Sequence, residues 1–412
     1  MNLMRASTQW ANRPADERFW NLAEMREKES AIKKDGREIT HTINRLRAVA
    51  VDGGTGDGLL LEGQENKSLA ALTAYSFGQL CRFVAPENGK KADPEYLSRM
   101  PARIAADALN HDLSHCEAES KILWNVDAPG EVHARAFNTP KYGRYWNEEA
   151  LDNLLPMLND GWRVPPARPS DQSDPRARPA TEADCLQHRM NGIGIKPGDM
   201  IAPAGLYMGE KDMFAFLVNE TRPIDTGNGH PMYRGFFYEN SEVGSLSHWI
   251  TKFLYESVCG NHIVWCASQV LEIRVIHRGE KVLDRATRAL EVIMKEYSDE
   301  SASDLEAKIK VAQTIVFGAN KDETVNFLYK NLAGAAATQT ALEAAYDAAV
   351  EHPEDAGEKC APNSAWGMAQ GMTRYSQSQT WTDKRVELDR LAGSILDLAT
   401  GKQKHKVLEA VA

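Results

Sequence analysis

The 412-residue chain lacks any run of about 18 apolar residues, so its sequence predicts no membrane-spanning helix. Its first residues, Met1–Ser7, lack the apolar core of a signal peptide. Its six cysteines are scattered without a Cys-x-x-Cys pair, which favours buried thiols over disulfides or a zinc site. From these absences we expect a cytoplasmic protein with no membrane partner.

An excess of positive charge is also missing, because the formal net charge is −10. This balance argues against a surface covered with basic residues for duplex DNA, but it permits a local basic groove. The apolar content of 42% and the charged content of 26% are ordinary for a globular protein. The chain is long enough to bury a sizeable core.

No complete catalytic motif is present. The sequence contains no Gly-x-Ser-x-Gly elbow, no His-Glu-x-x-His helix and no full dinucleotide fingerprint. The glycine-rich stretch 52–58 is not followed by Gly-Lys-Ser/Thr, so it favours a turn over a phosphate loop. We therefore predict no cofactor, while enzymatic activity stays open because catalytic residues can converge from distant positions.

One pair of histidines has the spacing of metal ligands. His111 and His115 are four residues apart, which places both imidazoles on one helix face, with Asp112 and Cys116 nearby. No third ligand of known placement is evident in the sequence. Hydrogen-bonded or solvent-edge histidines are the favoured interpretation, and no metal is predicted.

The pattern of apolar residues predicts an α+β fold, with a mostly antiparallel central sheet flanked by N-terminal and C-terminal helices. The central strands are predicted at 200–207, 213–219, 232–240, 261–267 and 269–277. In the last of these, Leu271, Ile273 and Val275 alternate onto one face. The stretch 244–261 has apolar spacing that suits a helix, although its Thr, Tyr and Trp residues also suit a strand.

Composition divides the chain into five regions. They are an N-terminal helical module with a hairpin (1–116), short strands and a helix (117–160), a Pro/Arg-rich linker or loop (161–181), the central sheet core (182–279) and a C-terminal helical region (280–412). The third region holds five prolines and four arginines, a composition that disfavours both helix and inner strand. We expect it to be mobile.

Basic and aromatic side chains cluster after the second of two short strands. The cluster consists of Arg135, Lys141, Tyr142, Arg144, Tyr145 and Trp146. Cations can follow phosphates while rings stack on bases, so the functional interpretation is a groove for single-stranded nucleic acid, to which Arg274 and Arg278 would add. The structural alternative is a loop whose rings pack on the domain edge and whose charges are solvated.

Three short motifs follow one another in the central stretch: Gly244-Ser245, Cys259 with Asn261, and His277 with Gly279. In this order they resemble the family called domain of unknown function 932, whose members are described as phage/plasmid-like proteins. His262 departs from the glycine that the family pattern places after the asparagine. Residues 9–19 and Trp366-Gly367 extend the resemblance over most of the chain. The resemblance implies a protein of a mobile genetic element and no particular chemistry.

Two functions from different classes remain open. The first is non-enzymatic binding or annealing of single-stranded nucleic acid, by analogy with annealing proteins of the RecT type. The second is an enzyme or host-interaction protein of unknown chemistry centred on Cys259, Asn261 and His277. Cys259 lies in apolar sequence, which favours a buried thiol, and His277 either faces a cleft or holds the strand end by a hydrogen bond. Self-association into a homo-oligomer is a third interpretation.

Overall fold

The computed structural model describes residues 13–51, 58–63, 69–84, 92–126, 130–164, 168–170, 172–184, 195–203, 205–227, 231–256, 262–263, 270–332, 334, 336–357, 360–379, 382–401 and 406–409. Its helices are α1 (Leu22–Asp35), α2 (Ala74–Phe83), α3 (Pro94–Ser98), α4 (Ala102–Ser114), α5 (Asn147–Leu154), α6 (Val282–Asp299), α7 (Ala302–Thr314), α8 (Lys321–Asn331), α9 (Gln339–Glu351), α10 (Pro353–Ala356), α11 (Ala365–Gln377) and α12 (Thr382–Thr400). Its strands are β1 (Arg37–Thr42), β2 (Leu46–Val51), β3 (Gly58–Gly63), β4 (Leu69–Leu72), β5 (Glu119–Val126), β6 (Val132–Asn138), β7 (Trp162–Arg163), β8 (Arg168–Pro169), β9 (Arg178–Pro179), β10 (Met200–Ala202), β11 (Leu206–Met208), β12 (Met213–Ile224), β13 (Met232–Asn240), β14 (His248–Glu256), β15 (His262–Ile263), β16 (Val270–Val275) and β17 (Lys406–Glu409).

The first large sheet has six strands in the order β1-β5-β6-β4-β3-β2, and it is strongly curled. Its two edge strands, β1 and β2, are joined by a single 3-10 turn, Ile43–Arg45. Trp124 on β5 and Gly63 on β3 are three strand spacings apart, which is about 14 Å in a flat sheet. Yet the Trp124 ring would lie 3.9 Å from a Cβ at Gly63. The sheet therefore has a concave face on which distant strands meet.

Helices α2, α3 and α4 pack against this curled sheet. Their buried residues Leu80, Leu97 and Leu109 share one core with Leu61 of β3 and Ile122 of β5. A Thr73 capping box begins α2, since the Thr73 hydroxyl accepts from Ser76 N and the Ser76 hydroxyl accepts from Thr73 N. The sheet and the three helices thus form one packed unit that includes residues on both sides of position 116.

The second large sheet has eight strands, in the order β11-β12-β13-β14-β16-β17 with β15 beside β14 and β7 beside β12. Phe236, Tyr238 and Ile250 on one face share a core with α1, α5 and α6. Toward the other end of the strands, Met232 and Leu254 join the core of helices α7, α8, α9, α11 and α12. A separate three-stranded sheet has the order β8-β10-β9.

The α+β class predicted from the sequence is confirmed, but the expected sheet needs correction. Each large sheet is mixed: β4 and β6 run parallel in the first, and β16 and β17 run parallel in the second. The strands of residues 37–138 also form a sheet of their own, so the second sheet is not the single centre of the fold. The predicted C-terminal helical region, 280–412, also contains strand β17 at residues 406–409.

Of the helix and the strand that the sequence left open within 244–261, the strand is correct, because His248–Glu256 forms strand β14. Eight residue pairs join β14 to β13 in antiparallel register, from Met232 opposite Glu256 to Glu239 opposite Trp249. Both faces of this strand are buried, so apolar residues occur on each and the period-2 signal is lost.

The Pro/Arg-rich segment is held against the N-terminal region where the structure describes it. Arg18 pairs with Asp174 at 2.6 Å, and Arg176 pairs with Glu24 at 2.5 Å. The Arg178 guanidinium lies 4.1 Å from the centre of the Trp20 ring. The expectation of a mobile linker does not agree with these contacts, since the arginines join the segment to the protein instead of keeping it solvated.

Candidate functional site at the junction of the two sheets

The two large sheets meet at the loop that follows β13, residues 241–247, which we call the junction loop. The Val243 carbonyl accepts hydrogen bonds from Gln79 Nε2 at 2.9 Å and Asn138 Nδ2 at 3.0 Å. The Ser241 carbonyl accepts one from the Tyr142 hydroxyl at 3.0 Å. Three side chains of the first sheet and its neighbouring segments thus bind backbone atoms of the second.

The Gly244-Ser245 motif shapes this loop. Gly244 has φ +87°, and a Cβ there would lie 2.8 Å from Asn138 Nδ2, so only glycine fits without strain. The backbone N–H groups of Gly244 and Ser245 donate to Ser241 Oγ at 3.1 and 2.9 Å. The Ser245 hydroxyl donates to the Lys211 carbonyl at 2.6 Å. The motif therefore closes a tight turn.

The His277 and Gly279 motif lies beside the same loop. His277 Nδ1 is 2.7 Å from the Tyr142 hydroxyl, and the His277 carbonyl accepts from Gly143 N at 3.3 Å. Gly279 N donates to the Lys141 carbonyl at 3.0 Å. A Cβ on Gly143 would overlap the Gly279 carbonyl, so the two turns touch through their backbones. The hydrogen bond expected from the structural interpretation of His277 is present.

Two carboxyl groups and one guanidinium are buried at this junction. Arg135 donates to Glu242 Oε1 at 2.7 Å, and both side chains are almost fully buried. Glu29 of α1 is 2% exposed, and its pKa is raised to about 8, first by burial and then by the charge of Glu242. One cation balances only one of the two acids, so Glu29 is protonated at neutral pH.

The polar atoms of Arg144 and Tyr145 also form hydrogen bonds within the protein. The Arg144 side chain, 1% exposed, donates to the Glu242 carbonyl, to Asn138 Oδ1 at 3.1 Å and to Glu38 at 2.8 Å. The Tyr145 hydroxyl is 2.8 Å from the Tyr238 hydroxyl in the core. Each polar atom therefore has a protein partner.

These contacts correct the prediction of an open groove. Arg135, Tyr142, Arg144 and Tyr145 have their polar groups bonded inside the junction, and Trp146 lies half-buried 5.6 Å from the Arg144 guanidinium. The guanidinium groups of Arg135 and Arg144 and the hydroxyl of Tyr142 instead form hydrogen bonds between the two sheets. They could reach phosphates or bases only if the junction opened.

Two buried imidazoles lie near each other. His248 Nδ1 faces the Glu239 carbonyl at 2.8 Å and must donate, so its Nε2 carries a lone pair. The Nε2 atoms of His248 and His277 are buried and have no hydrogen-bond partner in the part of the chain that the structure describes. Burial lowers the pKa of His248 to about 4 and that of His277 to about 3. Both rings are neutral at pH 7 and could accept a proton or ligand that reached them.

The remaining motif residues, Cys259 and Asn261, lie outside the described residues. A pocket gathering them with His277 stays a prediction. For the predicted histidine pair, His115 Nδ1 is 2.7 Å from the His111 carbonyl, and the two rings are 4.9 Å apart. Within the described ranges, no three His, Cys, Asp or Glu side chains are placed to hold a metal ion.

The predicted residues that do face solvent lie at one corner of the junction. Lys141 and Arg278 are exposed on the two touching turns. Arg285 of α6 donates to the Ile276 and Arg278 carbonyls at 3.0 and 2.6 Å, which places its helix face beside them. Residues 281, 285 and 288 share that face. We call Lys141, Arg278, Lys281, Arg285 and Arg288 the basic corner.

The side chains of the basic corner have no ion-pair partner among the described residues, whereas Arg13, Arg18, Arg135 and Arg234 are all paired. Nearby in sequence, the Arg274 guanidinium lies 5.4 Å from the centre of the Trp249 ring and donates to Ser247 Oγ at 3.1 Å. Both side chains are half-buried.

The curl of the first sheet creates a cavity that sequence reasoning missed. It has a volume of about 270 Å³ and is lined by Asp35, Arg37, Ile39, His41, Gly63, Trp124, Val126 and Val132. Trp124 was expected only as part of a strand and His41 only as part of a hairpin. No local pattern marks either residue, because only the curl of the sheet brings them together.

No family model, no curated protein and no solved structure matches this chain. The resemblance of the motif residues to the domain of unknown function 932 family therefore stays a prediction. None of the helices in the described ranges combines the length and the apolar character that a membrane span requires.

Proposed function

We propose that the protein binds single-stranded nucleic acid through the basic corner and has no catalytic role there. The observation that carries the proposal is the group of exposed cations Lys141, Arg278, Lys281 and Arg288, beside the half-buried Arg285, without ion-pair partners among the described residues. Such cations are available to neutralise phosphates. In an acidic protein such a group of cations attracts a polyanion locally.

Trp249 and Arg274 supply a surface on which a base could stack, on the sheet face opposite to α6. They are directly opposite each other on β14 and β16, and the guanidinium already lies over the indole ring. Base stacking on an aromatic ring tolerates every sequence because every base has a π face. We infer binding that depends on backbone charge and stacking and has little sequence preference.

The resemblance to phage/plasmid-like proteins supports a role with single strands during the replication or recombination of a mobile element, in the cytoplasm. Annealing of strands and self-association belong to the same proposal. The junction itself, including Arg135, Glu242 and His277, then serves to hold the two turns that display Lys141 and Arg278.

Charge removal at the corner tests this function. The double variant Lys141→Ala/Arg278→Ala removes two exposed cations and no described side-chain bond. We expect its affinity for a labelled single-stranded oligonucleotide to fall by about 10-fold or more at low salt, since each phosphate contact contributes to affinity. The matched control Arg103→Ala/Lys310→Ala removes two exposed cations elsewhere and should bind as the unmodified protein does. Equal binding by both double variants would refute the assignment of the corner.

A further inference from the structure

A buried polar network fills the space between α1, α5 and the junction loop. Glu29 of α1 and Glu242 of the loop are each 2% exposed. The Asn147 side chain lies beside Glu29, and its backbone N–H donates to Glu242 Oε2 at 3.3 Å. The Asn240 amide donates to Asn147 Oδ1 at 2.8 Å, and Arg135 donates to Glu242 Oε1 at 2.7 Å. The network therefore joins the N-terminal helix to both large sheets.

The network contains two carboxyl groups for one guanidinium, because Arg135 is already paired with Glu242. Lys28, the neighbour of Glu29 on α1, is exposed and donates to the Asp16 carbonyl at 2.7 Å. The other charged side chains on the elements that pack against α1 are paired elsewhere or exposed: Glu148, Glu149 and Asp152 of α5 pair with Arg26 and Lys33, Lys121 Nζ of β5 lies 3.9 Å from Glu38 Oε2, Glu119 of β5 and Glu210 before β12 are exposed, and β11 has none. A second buried carboxylate would therefore lack a cation, so the closed junction favours a protonated Glu29.

The proton on Glu29 distinguishes a closed junction from an open one. Burial, and then the charge of Glu242, raise the pKa of Glu29 to about 8, whereas a glutamate in water has a pKa near 4.5. Between these values, a state in which water reaches Glu29 binds fewer protons than the closed state. Opening therefore becomes more favourable as the pH rises through this range, and the effect levels off above about pH 8.

The junction loop is the part of this network that can move without its neighbours. Its outer residues, 244–247, are half-buried, and hydrogen bonds to the Ser241 and Val243 carbonyls hold it to the first sheet. Helix α1 is fastened to α5 by several ion pairs that the loop does not share. A small outward displacement of the loop would admit water to Glu242 and Glu29 while α1 stays in place.

We propose that Glu29, Glu242 and Arg135 form a pH switch, which keeps the junction loop closed against the first sheet while Glu29 is protonated and permits local opening of the loop when this proton passes to water. The step breaks hydrogen bonds and no covalent bond. Because the Tyr142 hydroxyl donates to the Ser241 carbonyl, opening also removes a contact from the turn that carries Lys141. The switch does not depend on the function proposed above.

Hydrogen exchange of peptides within 241–247 measures the opening of the loop. The full-length protein and Glu29→Gln are compared with each other at about pH 6.5 and again at about pH 8.5, so that the intrinsic pH dependence of exchange cancels. Glutamine keeps the shape of the protonated acid but cannot titrate. We expect the ratio of the two exchange rates, unmodified protein over Glu29→Gln, to rise by about 10-fold or more between the two pH values.

A matched variant and a second condition separate the switch from general effects. Glu27→Gln makes the same change at an exposed position of α1 and should exchange as the unmodified protein does at both pH values. Exchange of the loop at about pH 8.5 should change little in about 1 M urea, because a local opening exposes little surface, whereas global unfolding is strongly favoured by urea.

Two results would overturn the proposal: the ratio stays constant between the two pH values, or loop exchange rises steeply with urea and therefore occurs only through global unfolding. The experiment uses protein without nucleic acid, so its outcome is separate from that of the oligonucleotide test. If the loop opens with rising pH but oligonucleotides do not bind at the basic corner, the switch stands and the proposed function fails.

Discussion

Gly143 sits where the turn before α5 touches the turn after β16. A side chain there would overlap the Gly279 carbonyl and approach Val282. We expect Gly143→Ala to lower the free energy of unfolding by about 2–3 kcal/mol, because overpacking a tight contact displaces backbone. Urea unfolding followed by circular dichroism measures the change.

Gly78 provides the matched control for this substitution. It lies within α2, and a Cβ there would have nothing within 4 Å. Gly78→Ala should stabilise the protein by up to about 1 kcal/mol through helix propensity. If both substitutions changed stability alike, the close approach of the two turns would be wrong.

Glu29 is a buried acid whose titration should make the stability of the protein depend on pH. Its folded pKa of about 8 exceeds the ordinary value of 4.5. Between these values the folded state binds more protons than the unfolded state, so stability falls as pH rises, by at most about 1.4 kcal/mol per pH unit, and levels off above pH 8. We expect this fall in urea unfolding between pH 6.5 and about pH 8.

Glu29→Gln removes the titration while keeping the shape of the protonated acid. We expect its stability to be flat over this pH range and to exceed that of the unmodified protein at the upper end. His248 and His277, whose pKa values are lowered, act in the opposite sense, but only below the ordinary histidine pKa of about 6.5. An unmodified protein with no fall in stability above pH 6.5 would contradict a buried, protonated Glu29.

At the scale of elements, the segment 172–184 depends on ion pairs with the N-terminal region. Arg18 binds both carboxylate oxygens of Asp174, at 2.6 and 2.7 Å, in a partly buried position. We expect Arg18→Met to release the segment, so that hydrogen exchange of peptides within 172–184 becomes faster by about 10-fold or more. Arg99→Met breaks an exposed pair with Glu95 in α3 and should leave this exchange unchanged. Unaltered exchange in Arg18→Met would show that other contacts hold the segment.

Some elements could be predicted from local sequence, and others depended on pairing. Strand β13 lies at the predicted residues, 232–240, and helix α6 lies within the predicted C-terminal helical region, 280–412. For β14 the sequence left helix and strand open, because Trp249 and Ile250 are apolar neighbours that face opposite sides of the sheet. The extended conformation of β14 depends on its pairing with β13 and β16. This pairing cannot be seen in the spacing of apolar residues within the segment.

The sequence identified the residues of the candidate site, but it did not show which of them are buried. The sequence identified the basic and aromatic cluster, and Lys141 and Arg278 do face solvent. It could not show that Arg135 meets Glu242, 107 residues later, because that contact depends on how the two sheets pack. The same holds for the cavity beside Trp124, which exists only because the first sheet curls.

At the scale of the whole molecule, a chain of net charge −10 carries the basic corner, a group of cations without ion-pair partners among the described residues. If the proposed function holds, general repulsion keeps a polyanion away from most of the surface, and we expect productive encounter at that corner. Binding should therefore be weak at high salt and steeply dependent on ionic strength.

The most direct test is the fluorescence anisotropy of a labelled single-stranded oligonucleotide, titrated with the full-length protein across a salt series. We expect binding at low salt, with the logarithm of the affinity falling against the logarithm of salt concentration at a slope of about −3, as roughly four or five neutralised phosphates imply. The slope should become shallower by about 1.4 in Lys141→Ala/Arg278→Ala. Absence of binding at low salt, or an affinity independent of salt, would contradict the claim that this protein binds single-stranded nucleic acid through its basic corner.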